Sequence, residues 1–123
     1  MPDDNDVVFT QPCPIRDVLD RIGDQWSLLV LEALGTGTKR FSALQREIGD
    51  ISRQMLARTL RRLEMDGYVH REVFAEVPPR VEYSLTAQGR SFQGPLRVLI
   101  DWSDEHHRQI VLARQAFSGT GSD

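Results

Sequence analysis

The chain has 123 residues, 40% hydrophobic and 27% charged, which is the composition of a soluble globular protein with one domain around one core. The longest apolar runs, LLVL at 28–31 and VLI at 98–100, are too short to span a bilayer. The polar, acidic start lacks the basic-then-apolar order of a secretory leader, so a cytoplasmic location and no membrane partner are expected. A single cysteine, Cys13, excludes an internal disulfide and any multi-cysteine zinc site.

Net charge is −3, which at first argues against a nucleic-acid partner. Its distribution argues the other way. Residues 1–38 hold seven acids and two bases, whereas residues 39–62 hold seven bases and two acids. A segment of charge +5 inside an acidic protein would orient the molecule toward phosphate without making its whole surface basic.

Residues 1–12 read as a flexible N-terminal arm, 13–117 as the folded domain and 118–123 as a disordered tail. Pro14 suits the first position of a helix, CPIRDVLDRIG, with Ile15, Val18, Leu19 and Ile22 as its buried stripe and Gly23 at its end. Asp24 is placed to cap a second helix, QWSLLVLEALG, in which Trp26, Leu29, Val30, Ala33 and Leu34 supply bulk. After a turn at 36–38, Phe41, Leu44 and Ile48 mark a short helix that Gly49 closes.

The stretch DISRQMLARTLRRLEMDG at 50–67 is the most informative. Ile51, Met55, Leu56, Leu60 and Leu63 share one helical face. Arg53, Gln54, Ala57, Arg58 and Arg61 share the other, with Arg62 at its edge and no acid among them. Ser52 is an N-cap and Gly67 a stop. Two short helices joined by a tight turn, the second with a basic face, form a helix-turn-helix pattern. An ordinary surface helix with a solvated basic face would look the same, so the neighbours decide. Tyr68–Glu76 is rich in β-formers. Val81, Tyr83 and Leu85 then alternate with polar residues, and VPPR lies between the two runs. Two strands and a stiff tip describe a wing that presents Arg80 to phosphate or a minor groove, where a solvated loop arginine is the plainer alternative.

Thr86 caps a terminal helical region over 87–117, interrupted by Gly89, Gly94 and Pro95, with a kink or fresh start expected near Pro95. Phe92, Leu96, Leu99, Trp102, His106 and Ile110 form its stripe, and Val98 and Ile100 add apolar bulk off that stripe. A helix apolar on more than one side points to a homodimer through Leu96, Leu99, Trp102 and His106. The plainer reading has Trp102 covering its own core. The expected fold class is mainly α with a small β wing (α+β), a winged helix-turn-helix with a helical dimer interface.

The order CPIRDVLDRIGDQWSLLVLEAL, KRFSALQREI, ISRQMLARTLRRLEMDGYVHR, VPPRVEYSLTAQGR and the final DW at 101–102 resembles the HxlR family of bacterial transcriptional regulators over residues 13–107. The resemblance implies a dimeric winged helix-turn-helix that binds double-stranded operator DNA. It places Ser52, Arg53, Gln54 and Arg58 in the major groove, Lys39 and Arg40 on phosphate and Arg80 at the wing tip. Arg61 and Arg62 are further phosphate candidates. Gln25 departs from the basic residue frequent before the tryptophan in this family, although backbone amides there could still meet a phosphate.

Several members of the family sense quinones, aldehydes or oxidants through a cysteine near the position of Cys13. Beside a helix N-terminus and Arg16, such a thiol is a candidate redox sensor for a small electrophile or oxidant, with Asp17 acting the other way. The alternative is a small buried residue that packs the first helix. His106 and His107 are adjacent and face apart, and His70 lies on a strand, so no metal and no cofactor are expected. Two function classes remain: a sequence-specific DNA-binding regulator, and a winged-helix protein-interaction module without specific DNA binding. An enzyme is not expected, because no nucleophile–base spacing or phosphate loop is present.

Overall fold

The computed structural model describes residues 13–119, so the readings made for residues 1–12 and 120–123 lie outside the described residues. Helix α1 (Pro14–Ile22) and α2 (Ser27–Leu34) are followed by a two-residue strand β1 (Lys39–Arg40), α3 (Phe41–Ile48) and α4 (Arg53–Met65). Strands β2 (Val69–Phe74) and β3 (Arg80–Leu85) form the wing, and α5 (Ala87–Ser91) leads into the long α6 (Gln93–Gly119). The sheet is antiparallel in the order β1-β3-β2. β1 was not expected from the sequence. It pairs Lys39 with Tyr83 and Arg40 with Glu82, and so ties the entry of α3 to the root of the wing.

Local chemistry sets most boundaries. Asp24 Oδ1 accepts from the backbone amides of Trp26 and Ser27, and Oδ2 accepts from Ser27 Oγ, so the first amides of α2 are satisfied. Ser52 Oγ accepts from Met55 N at 3.0 Å to start α4. Gly67 follows its end with φ +84, a conformation that favours glycine. The fresh start expected near Pro95 occurs at Gln93. Pro95 then falls in the first turn of α6, where an amide hydrogen would lack an intrahelical partner in any case.

The core lies where α2, α3 and α4 meet. Val30, Leu31, Leu44, Leu56, Leu60 and Leu63 are almost completely buried. Each leucine contributes about 1.5–3 kcal/mol relative to an exposed position. Leu56, Leu60 and Leu63 come from one stripe of α4, so the same periodicity that fills the core fixes which side of α4 faces out. Thr59 is buried between them, and its Oγ1 has no hydrogen-bond partner among the described residues.

The surface differs from the sequence expectation in three places. Of the α1 stripe only Ile22 is buried and Val18 packs at the core's edge, while Ile15 and Leu19 are more than half exposed. In α2, Leu29 faces solvent and Leu31 takes the core position, because a helix this apolar has no single stripe to read. The helix end lies at Gly119, so residues 118–119 are helical and not part of a frayed tail. No described helix is long and apolar enough to cross a membrane.

Candidate nucleic-acid interface

The α3–α4 turn is fixed by three contacts. Gly49 closes α3 with φ +100, Ile51 inserts into the core, and Gln45 Nε2 donates to the Ile51 carbonyl at 3.3 Å. These hold the N-terminus of α4 clear of the body. Ser52, Arg53, Gln54, Ala57, Arg58 and Arg61 are all exposed, on the side opposite the leucines. The sequence-derived group of Ser52, Arg53, Gln54 and Arg58 is therefore brought together on the first two turns. The Arg53 guanidinium lies 5.1 Å from the centroid of the Phe41 ring, which steers it across the start of α3. Arg58, Arg61 and Arg40 form no ion pair among the described residues.

Lys39, Arg62 and Arg80 are placed otherwise. Lys39 Nζ donates to the Ala33 carbonyl, Thr36 Oγ1 and Glu47 Oε2, at 2.5, 2.8 and 2.5 Å. It neutralises the C-terminal end of α2 and joins it to α3. Arg62 turns away from the exposed face to Asp24, at 3.4 Å. Arg80, expected on the wing tip, is instead the first residue of β3, and its guanidinium folds back. It lies 4.1 Å from the Phe74 ring centroid and pairs with Glu76 and Glu82 at 3.4 and 3.3 Å. At the tip between the strands, Val77 is fully exposed.

A second group joins α1 to the end of α4. Arg21 makes a two-pronged contact with Asp66, Nε to Oδ2 at 2.8 Å and Nη2 to Oδ1 at 3.1 Å. The hydrogen bond and then the charge of Asp66 raise the Arg21 pKa further above its already high ordinary value. Burial alone would raise the Asp24 carboxyl, but hydrogen bonds from Ser27 and Trp26 and the charge of Arg62 outweigh it and hold the pKa below the ordinary carboxylate range. Tyr68 beside this group is raised, by burial first and then by Asp66 and Asp17. Sequence reasoning missed the Arg21–Asp66 pair, since its members are 45 residues apart.

Cys13 is half-buried at the N-cap position of α1 and makes no capping hydrogen bond with its side chain. Among the residues expected at a dimer interface, Leu96 is 3% exposed and belongs to the chain's own core, which removes it from that surface. Leu99 and Trp102 are about half exposed. His106 stacks on Trp102 with centroids 4.5 Å apart and sets Nδ1 3.0 Å from the Trp102 carbonyl.

Helices packed around a helix-turn-helix, with a three-stranded sheet whose β2–β3 hairpin forms a wing, define the winged-helix fold, and the relatives that share it are transcriptional regulators, not enzymes. The family model described as HxlR-like helix-turn-helix matches residues 21–111, and the chain belongs to this family. It is 41% identical over 107 residues to an uncharacterized HTH-type transcriptional regulator, YtfH of Escherichia coli K12, covering 87% of this chain and 85% of that one. A Methanothermobacter thermautotrophicus HTH-type regulator is 47% identical over 90 residues, covering 73% and 69%. Among solved structures, the redox regulator HypR in its oxidized form is 41% identical with a TM-score of 0.71, covering 76% of this chain and 96% of HypR. The reduced form of the regulator YodB from B. subtilis is 33% identical with a TM-score of 0.68, covering 77% and 94%.

Proposed function

We propose that the protein binds a two-fold symmetric DNA operator as a homodimer, with α4 as the reading helix. The observation that carries this is the partition of charge on α4. Arg62, on the flank, is neutralised within the domain, while Arg53, Arg58 and Arg61 on the exposed face have no acid paired with them among the described residues. Arg53 and Arg58 suit guanine edges, Gln54 suits adenine, and Ser52 joins them at the helix start. Arg40 and Arg61 set register on phosphates. Lys39, Arg62 and Arg80 serve mainly to hold the scaffold that presents them.

The exposed Ile15 and Leu19 of α1, with Leu99, Trp102 and His106 of α6, are the surface we assign to the second subunit. Cys13 lies beside that surface on α1. The likeness to HypR and YodB supports a redox or electrophile switch there, through an intersubunit disulfide, a mixed disulfide or an adduct. Selection of bound sequences from random DNA should return a palindrome with half-sites about one turn, or a multiple of it, apart. Arg58→Ala should lose about 1–3 kcal/mol of operator affinity and relax one position. Retention of full operator affinity by Arg58→Ala would refute the assignment of α4. Unchanged DNA release by oxidant or quinone in Cys13→Ser would remove the switch.

A further inference from the structure

We infer that the notch between α4 and the wing is a seat for one phosphate of the DNA backbone, held by Arg61 and Arg71, and that Arg71 is the wing residue that meets DNA. This rests on the DNA-binding reading above and adds to it a residue that neither the sequence pattern nor the resemblance picked out.

The argument begins with strand parity. Residues paired across an antiparallel ladder share a face. One face of the hairpin carries Val69, Arg71 and Val73 opposite Leu85, Tyr83 and Val81, with no acid. The other carries His70, Glu72 and Phe74 opposite Ser84, Glu82 and Arg80. Both strand carboxylates therefore lie on the second face, where Arg80 is already paired. The first face is the one turned to α4: Val69 and Leu85 enter the core, and the next pair outward, Arg71 and Tyr83, borders a notch of about 340 Å³ together with Ala57, Arg61 and Glu64.

Two guanidiniums from different elements thus flank one polar notch. Neither is in an ion pair among the described residues, and Glu64 on the same wall pairs with neither. Arg21, Arg62 and Arg80, by contrast, each have an acid within 3.4 Å. With two guanidiniums and one carboxylate, Glu64, on its walls, the notch is net positive, and an anion seated between the guanidiniums would lower their mutual repulsion. Guanidinium forks suit a tetrahedral oxyanion, and Tyr83 adds a hydroxyl to the wall. Ala57, one turn before Arg61 on α4, adds only a methyl group to the wall. The occupant is accordingly a phosphate on a long strand, lying between the helix and the wing.

The test is the salt dependence of duplex binding by the full chain, followed by fluorescence anisotropy. Arg71→Gln is expected to reduce the slope of log affinity against log salt by about 0.9 per bound protomer, equally on operator and random duplex. Between ~50 and ~200 mM salt, that makes the loss of affinity about 3.5-fold smaller per protomer. Arg71→Lys, which keeps the charge, should restore the slope, and Arg80→Gln should leave it unchanged. A wild-type slope in Arg71→Gln, while Arg58→Ala still loses operator preference, would overturn the seat and leave the DNA reading standing. Wild-type protein that holds no duplex at low salt would overturn both. A second arm compares melting in inorganic phosphate and in chloride at matched ionic strength. Phosphate that stabilises the wild type but not Arg71→Gln, with the DNA slope unchanged, would assign the seat to free phosphate and overturn the backbone assignment.

Discussion

Gly89→Ala sets two physical effects against each other. Gly89 lies in α5 and is buried. A Cβ there would meet the Tyr68 carbonyl oxygen at 2.2 Å and Leu85 Cδ2 at 3.1 Å. The same carbonyl accepts from Thr86 N at 3.1 Å. Relief would move α5 about 1 Å away from the start of β2, which overpacks or opens the joint at roughly 1–3 kcal/mol. It would also weaken that hydrogen bond, at about 0.5–1.5 kcal/mol. Helix propensity alone favours alanine by about 1 kcal/mol. The net expectation is a loss of about 2 kcal/mol, which for a chain of this size lowers Tm by roughly 8 °C. Thermal and urea melts of wild type and variant at one protein concentration measure it. A variant that melts at or above the wild-type temperature would show that propensity dominates and that the approach to Tyr68 is not a constraint.

Thr59→Val exchanges a buried hydroxyl without a partner for a methyl of the same shape, and should raise stability by about 1 kcal/mol in a urea melt; a loss would mean that the hydroxyl is satisfied. Asp24→Asn keeps an oxygen to cap α2 but removes the charge opposite Arg62, so it should destabilise by about 1 kcal/mol at neutral pH. Because the folded Asp24 pKa is lowered, its stabilisation is present above the ordinary value of about 3.9 and fades as pH falls through the folded one. The gap between wild type and Asp24→Asn should therefore close in acid, and a gap constant from pH 7 to 3 would refute that origin. Trp102→Glu should convert a dimer to monomer in sedimentation at micromolar concentration without lowering helix content, whereas an unchanged dimer would move the interface off α6.

What could be read from the chain beforehand was local. Ser52, Asp24, Thr86 and Gly67 cap or stop helices through neighbours within a few residues, and short-range chemistry carries that information. The stripe of α4 was legible because its apolar and basic residues separate cleanly. The fate of individual charges was not. Lys39 and Arg62 count equally in a tally of bases, but Lys39 finds Glu47 across eight residues and Arg62 finds Asp24 across 38. The wing hid its polarity in a different way: Arg71 and Arg80 lie on different strands, and whether they share a face is settled only once the register between those strands is known. Ile15 and Leu19 show a third limit, since periodicity marks an apolar face without saying what will cover it.

The contacts Arg21–Asp66 and Arg62–Asp24 are nested: the α1–α2 joint offers a base and then an acid, the end of α4 does the same, and the outer and inner pairs each join opposite charges. Two contacts one turn apart on α4 resist its rotation as well as its separation from the joint, because turning α4 about its axis lengthens both together. Helix α1 adds little else to the body beyond Ile22 and Val18. Helix α1 is tied through Arg21 to the end of α4 farthest from Ser52, so a force on α1 would load that end of α4 directly, without passing through the leucine core.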